Sequence, residues 1–256
     1  MKKQSKLLLI LILILFGVNY PFLDSYLEAQ FGEQREFGIV ERVVDGDTII
    51  INGTSIRLLG INTPERGEKY YLEAKEFLEK IILNKTIELK FGKEKYDRYQ
   101  RILAYVFYKN ANVNLELVDE GYANYYFPSG KDSYYDKFVR AWEHCLENGK
   151  YLCEKSKESC IKLAKFDYKS EIIVLENKCS RAVDLEGWEI KDEGRKKFIF
   201  ENFILPGKDV IPIILGEGNN NKNTLYWPGE TYVWTNSGDT MFLRDREGKL
   251  VLWEGY

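Results

Sequence analysis

The 256-residue chain contains one histidine, four cysteines, two methionines and six prolines. A single histidine argues against nucleophile–histidine–acid triads and against histidine metal clusters. That residue, His144, sits beside Cys145 in a stretch whose apolar stripe reads as helical packing. The cysteines, Cys145, Cys153, Cys160 and Cys179, contain no C-x-x-C pair, so the usual structural zinc pattern is missing. Positive charge is not in excess either: 37 Lys+Arg stand against 40 Asp+Glu, a net charge of −3. That balance excludes a bulk polyanion binder, whose footprint is strongly basic. Any chemistry must run on carboxylates, arginines and a hard cation; an oxygen-rich site suits Ca²⁺.

Long apolar runs are also lacking, with one exception. Leu7 to Val18 is uncharged and follows Lys2, Lys3 and Lys6, the pattern of a basic n-region and an h-region. Cleavage after Ala29 would release it, whereas extension through Tyr20, Pro21 and Phe22 would make a marginal membrane anchor. Residues 1–30 are therefore expected to be a signal peptide or an N-terminal membrane anchor, and the protein to be extracellular, secreted or membrane-attached. Outside the cytosol the even cysteine count favours disulfides. Four cysteines allow three connectivities, and Cys153 with Cys160 would close the shortest loop.

A chain of this length accommodates two modules, each with its own core. Phe37 to Ile51 is rich in Val and Ile around Asp45-Gly46, and Asn52-Gly53 is a two-residue hairpin signal before a strand from Ser55 to Ile61. Ala74, Phe77, Leu78, Ile81 and Ile82 recur at helical spacing after the Thr63-Pro64-Glu65 turn. Strands follow at Thr86 to Phe91 and Ile102 to Tyr108, then helices at Val113 to Gly121 and from an Asp132 or Ser133 cap to a Gly149 stop. Five strands with an interposed helix describe an OB-fold barrel over residues 36–150. Residues 151–169, which carry cysteines, read as a linker. Residues 170–256 alternate short apolar runs (EIIVLEN, GWEIKD, FIFENFIL, VIPIIL, TYVWTN, MFLRD, LVLWEGY) with turns, the rhythm of an all-β sandwich. The fold class is mainly β with helices.

Three groups of residues could carry chemistry. Asp47 lies just past the Asp45-Gly46 turn, and Asn62, Thr63 and Glu65 lie at the end of the third strand. In an antiparallel meander these loci meet at one rim, where two carboxylates, an amide oxygen and a backbone carbonyl would form half a calcium shell. Arg57 shares a strand face with Leu59 and Ile61. A guanidinium there needs an anionic partner, either a phosphate or a nearby carboxylate. The loop KEKYDRYQR interleaves Lys93, Lys95, Arg98 and Arg101 with Tyr96 and Tyr99, charge for a phosphate backbone and rings for base stacking, although a solvated hairpin loop has the same composition.

In order and spacing, DGDT, RLLGINTPE, DRYQRILAY and GYA resemble the staphylococcal nuclease family over about residues 36–150. The resemblance implies a Ca²⁺-dependent phosphodiesterase that cuts DNA and RNA. It casts Asp47 as a calcium ligand and Thr63 as a backbone-carbonyl ligand, and Glu65 as the group acting on the attacking water. Arg57 and Arg101 would hold the scissile phosphate. Tyr99 would line the nucleotide pocket with Lys95 and Arg98 nearby, and Tyr126 or Phe127 falls at the position of a second ring. Asn62 departs from the family pattern, which has an aspartate there; loss of one charge implies weaker calcium binding. The segment ENKCSRAVDLEGWEIKD, the LPG at Leu205 to Gly207 and NSGDTMFLRDREGKLV resemble the lamin-tail domain, an immunoglobulin-like sandwich, and imply a binding or tethering module. In it Asp239 reads as a turn residue.

Two functions fit. One is an exported nuclease acting on DNA or RNA; the other is an inactive OB module that binds nucleic acid or protein as an adhesion scaffold. The joint presence of Arg57, Glu65 and Arg101 favours the first, because a binder has no use for a water-activating carboxylate between two phosphate-facing arginines.

Overall fold

Turn chemistry sets the first strands. β1 (Arg35–Asp45), β2 (Thr48–Ile51) and β3 (Thr54–Leu58) form an antiparallel meander. Asn52 and Gly53, with φ of 48° and 70°, make the tight turn that the Asn-Gly pair favours. This computed structural model describes residues 35–256; the expected signal or anchor segment, 1–30, lies outside the described residues. Among the described residues no helix is long and apolar enough to cross a membrane.

β5 (Thr86–Tyr96) pairs with β1 and β6 (Ile102–Tyr108), and β6 returns to pair in parallel with β3, Arg57 opposite Leu103. Five strands in the order β3-β2-β1-β5-β6 thus close a barrel, the OB fold expected. β4 (Gly60–Asn62) leaves it to pair with β8 (Asn124–Tyr126). The strand anticipated from Ser55 to Ile61 is therefore broken at Gly60, whose φ is 75°. A Cβ there would lie 3.1 Å from the Phe138 ring and 3.2 Å from that of Phe127, so this crossing demands glycine. Arg57 consequently shares no continuous strand face with Ile61.

α1 (Tyr71–Ile82) buries Ala74, Leu78 and Ile82, one stripe at helical spacing. β7 (Ala111–Asn112) leads into α2 (Val113–Asp119), which is capped by Asn112, whose side chain accepts from the Leu115 N–H at 3.1 Å. α3 (Tyr135–Asn148) ends on Gly149 in the left-handed conformation, as its sequence suggests. Its N-cap is Tyr134, not Asp132 or Ser133. Asp132 instead accepts the Tyr134 N–H at 2.8 Å and the buried Tyr105 hydroxyl at 2.6 Å.

The stretch read as a linker is ordered. A 3₁₀ turn at Tyr151–Cys153 is tied to α3 by Cys145–Cys153, and β9 (Ile161–Asp167) is already a strand of the second layer system. Cys160–Cys179 ties the start of β9 to the turn after β10, so the shortest loop, Cys153 to Cys160, is not the one closed. β9, β10 (Ile172–Asn177), β15 (Val210–Leu215) and β16 (Leu225–Trp227) form one sheet of the sandwich. β12 (Glu189–Lys191), β13 (Lys197–Ile199), β17 (Thr240–Arg244) and β18 (Leu250–Gly255) form the other, with β11 (Val183–Asp184) and β14 (Ile204–Leu205) as a short extra pair. FIFENFIL splits into β13 and β14. TYVWTN is not a strand: the N–H groups of Val233 and Trp234 find the Glu171 carboxylate, at 3.1 and 3.3 Å, instead of a ladder.

Barrel and sandwich belong to one compact unit, Phe37–Tyr256. The buried Trp142 of α3 meets Phe242 and Trp253 of the sandwich edge to face, with centroids 5.4 and 6.4 Å apart, so the two cores touch.

Candidate active site

The turn between β1 and β2 carries Asp45 and Asp47, and β4 runs into Asn62 and Thr63. Gly46 lets these loci approach, since a Cβ on it would come within 2.9 Å of both the Thr63 and Ala74 side chains. Asp47 is buried and saturated on one oxygen: Oδ2 accepts the Thr63 N–H at 3.2 Å and its hydroxyl at 3.1 Å, and pairs with Arg57 Nη1 at 2.9 Å. Its Oδ1 accepts the Thr48 hydroxyl at 3.0 Å.

Arg57, also buried, is held through both terminal nitrogens of its fork. Nη1 donates to the Leu58 carbonyl at 3.1 Å, and Nη2 to Asn62 Oδ1 at 3.3 Å. The carboxylate partner that the sequence offered as an alternative is thus present. Asn62 uses its other end too, Nδ2 donating to the Gly194 carbonyl of the sandwich at 2.7 Å. Burial, with the Asp47 carboxylate beside it, pushes Asp45 up to about 6.

Glu65 stands further out on the same loop, its side chain 41% exposed. Its N–H is accepted by Glu68 at 2.9 Å, and its carboxylate meets Arg195 Nε at 2.7 Å. Burial opposes charge on Glu68, but Lys191, the Glu65 N–H and Lys197 outweigh it and hold that carboxyl at about 2.

The basic loop is a separate body of the site. Asp97 accepts the N–H groups of Tyr99 and Arg101 and the Arg101 Nε at 2.7 Å, so Arg101 is turned onto its own loop and not toward Glu65. Its strand register still places it just before Ile102, the partner of Ile56, one step from Arg57. Tyr99 is 62% exposed with the Arg98 guanidinium over its ring at 4.7 Å, and Lys95 lies over Phe91 at 4.4 Å. Of the two candidate rings, Phe127 is buried against Tyr135 and Phe138 and is core. Tyr126 is the one at the rim, beside Gly194; burial and Asp192 push its phenol up.

Among the described residues no three His, Cys, Asp or Glu side chains converge as a ready metal cluster. The donor chemistry nonetheless fits a hard cation: Asp45, Asp47 Oδ1 and Asn62 Oδ1 are all oxygen, and among the described residues Asp47 Oδ1 and Asn62 Oδ1 each accept from one side-chain donor. Sequence reading missed Asp45 as a donor, taking it for the turn former of Asp-Gly, and missed the hairpin residues Gly194 and Arg195.

A closed five-stranded barrel whose rim gathers carboxylates, an amide and a buried arginine defines an OB-fold protein with an oxygen-rich, arginine-backed site. The family described as staphylococcal nuclease homologue matches residues 55–152, and the lamin tail domain matches residues 154–256. A thermonuclease of Staphylococcus intermedius is 31% identical over 147 residues, 52% of this chain and 88% of that protein. An uncharacterized endonuclease of Haemophilus influenzae is 31% identical over 151 residues, 57% of this chain and 77% of its own length. Endonuclease YhcR of Bacillus subtilis is 35% identical over 124 residues, 41% of this chain but only 10% of that protein. The chain belongs to the staphylococcal nuclease family, with a lamin-tail domain appended, and its class is that of a hydrolytic nuclease, a phosphodiesterase.

Proposed function

We propose that the protein is an exported, Ca²⁺-dependent nuclease that hydrolyses phosphodiester bonds of DNA, RNA or both. The observation that carries this is the meeting of Asp47, Arg57 and Asn62 at one rim, with Glu65 on the same loop two residues past Thr63. Asp45, Asp47, Asn62 and the Thr63 carbonyl are the groups that would hold calcium. When bound, the ion supplies a Lewis acid that polarises a phosphoryl oxygen.

The chain's own residues do the rest. Glu65, exposed enough to meet water, orients or deprotonates the attacking molecule. Arg57 is locked by its partners, so its donors cost no reorganisation when charge builds on the phosphorane. Arg101 and Tyr99 ride on the exposed loop beside β3, where a guanidinium and a ring suit a phosphate and a stacked base.

Export is supported by the basic and apolar start of the sequence and by two disulfides, which belong to oxidising compartments. Membrane attachment through residues 1–30, and a tethering role for the lamin-tail domain, are parts of the same proposal. Incubation of the full chain with single-stranded DNA and with RNA, in Ca²⁺ or in chelator, tests it. Chelator-sensitive cleavage is expected; binding without cleavage would favour the scaffold instead.

A further inference from the structure

The rim that carries Glu65 is built by both domains. Lys191 ends β12 and Lys197 begins β13, and both reach Glu68, at 3.2 and 2.9 Å. Glu68 holds the backbone N–H of Glu65. The two strands of this sandwich hairpin therefore fix the loop on which the water-activating carboxylate stands.

Between those lysines the hairpin turn lies across the barrel. Asn124 donates to the Glu193 carbonyl at 3.0 Å, Asn62 donates to the Gly194 carbonyl at 2.7 Å, and the Phe127 N–H reaches the Glu193 carboxylate at 3.2 Å. All three contacts are buried and fix the turn backbone as far as Gly194. Arg195, the next residue, is different: its side chain is 60% exposed and touches Glu65, which is itself 41% exposed. An ion pair so open to water is weakly held and exchanges readily for a better partner. The backbone stays fixed while the guanidinium is free to change what it binds.

A phosphate is the better partner. Water activated by Glu65 attacks phosphorus from hydrogen-bond range of that carboxylate, so the scissile phosphate must lie within reach of a group already touching Glu65. The rim otherwise carries the carboxylates Asp45 and Asp47, on a chain of net charge −3. A polyanion needs extra cationic contacts to approach it, and a guanidinium fork matches phosphate oxygens. We propose that Arg195 of the lamin-tail domain is a phosphate-binding residue of the nuclease site, resting on Glu65 until substrate replaces that contact. This deepens the nuclease reading of the barrel and rests on it.

The test uses the full chain, its Arg195→Ala and Arg195→Lys variants, and Arg181→Ala as a control from an exposed arginine of the same domain. Two readouts are taken with a single-stranded DNA oligonucleotide across a salt series: equilibrium binding by fluorescence anisotropy in chelator, and steady-state hydrolysis in Ca²⁺. Arg195→Ala is expected to weaken binding about tenfold at low salt, and to flatten the slope of log affinity against log salt by about 0.7, the loss of one phosphate contact. In hydrolysis it should raise KM. Arg195→Lys should keep the slope, and Arg181→Ala should match the parent. An unchanged slope in Arg195→Ala overturns the proposal, as does faster hydrolysis, which would mean that Arg195 only masks Glu65. If the parent binds but does not cut, the nuclease reading fails, while the slope still decides whether Arg195 meets phosphate. A parent that does not bind overturns both.

Discussion

In the proposed calcium site, Asn62 is where metal binding and domain docking compete for one side chain, and Asn62→Asp separates them. The natural amide accepts from Arg57 Nη2 at 3.3 Å and donates to the Gly194 carbonyl at 2.7 Å. Aspartate is nearly isosteric but has no N–H, so it would set a carboxylate oxygen against a carbonyl oxygen in a buried contact. Leaving such a group unsatisfied costs about 1–3 kcal/mol. Attraction to Arg57 offers little in return, because Asp47 already neutralises that guanidinium at 2.9 Å and Asp45 lies close by. In chelator the variant should therefore melt roughly 2–12 °C below the parent. In Ca²⁺ the order should narrow or reverse, since an added ligand charge tightens calcium binding and bound ion stabilises the fold. Thermal unfolding of the full chain, with a calcium titration of each protein, gives both quantities. A variant that melts at or above the parent in chelator refutes the docking role; equal calcium affinities refute the metal role.

Three further outcomes are expected. Burial, with Asp239 nearby, raises Glu193 to about 8 and Asp192 to about 7, above their ordinary values near 4. Acids raised on folding stabilise it below their unfolded pKa, and that stability is lost as pH climbs through the folded values. Between about pH 5 and 8 the melting temperature should fall, by an amount worth on the order of a few kcal/mol, and Glu193→Gln should flatten the slope. Tyr99→Ala should raise KM for single-stranded substrate and leave turnover little changed, since one base stack contributes about 1–3 kcal/mol. Gly46→Ala drives a methyl to within 2.9 Å of the Thr63 and Ala74 side chains; a cost of about 1–3 kcal/mol in stability, read in denaturant titrations, and lower activity are expected.

What could be read from the sequence was local. Asn52-Gly53 specifies a tight turn, the apolar stripe from Ala74 to Ile82 specifies a helix, and the motifs DGDT and RLLGINTPE single out Asp47, Arg57 and Asn62, which the fold brings together. What escaped depends on distant partners. Gly60 breaks a strand because the rings of Phe127 and Phe138 crowd it from other elements. TYVWTN looks like a strand, but its N–H groups are taken by Glu171, about 60 residues upstream, as no strand period reveals. Phe127 and Tyr126 are neighbours in sequence, and only the packing of α3 decides that the first is core. Arg195 sits in DEGRK, an ordinary hairpin turn, and the bond from its neighbour Gly194 to Asn62 spans 132 residues.

In the proposed nuclease, the water-activating role falls to Glu65, which lies two residues past Thr63 on the loop beside the Asp47–Arg57–Asn62 cluster. Glu65→Gln keeps shape and hydrogen bonding but removes the base. Cleavage of single-stranded DNA in Ca²⁺ is therefore to be compared between this variant and the parent, with substrate saturating in both. Turnover should fall by about 100-fold or more while oligonucleotide affinity is retained; equal rates in the two proteins would contradict a catalytic role for this carboxylate.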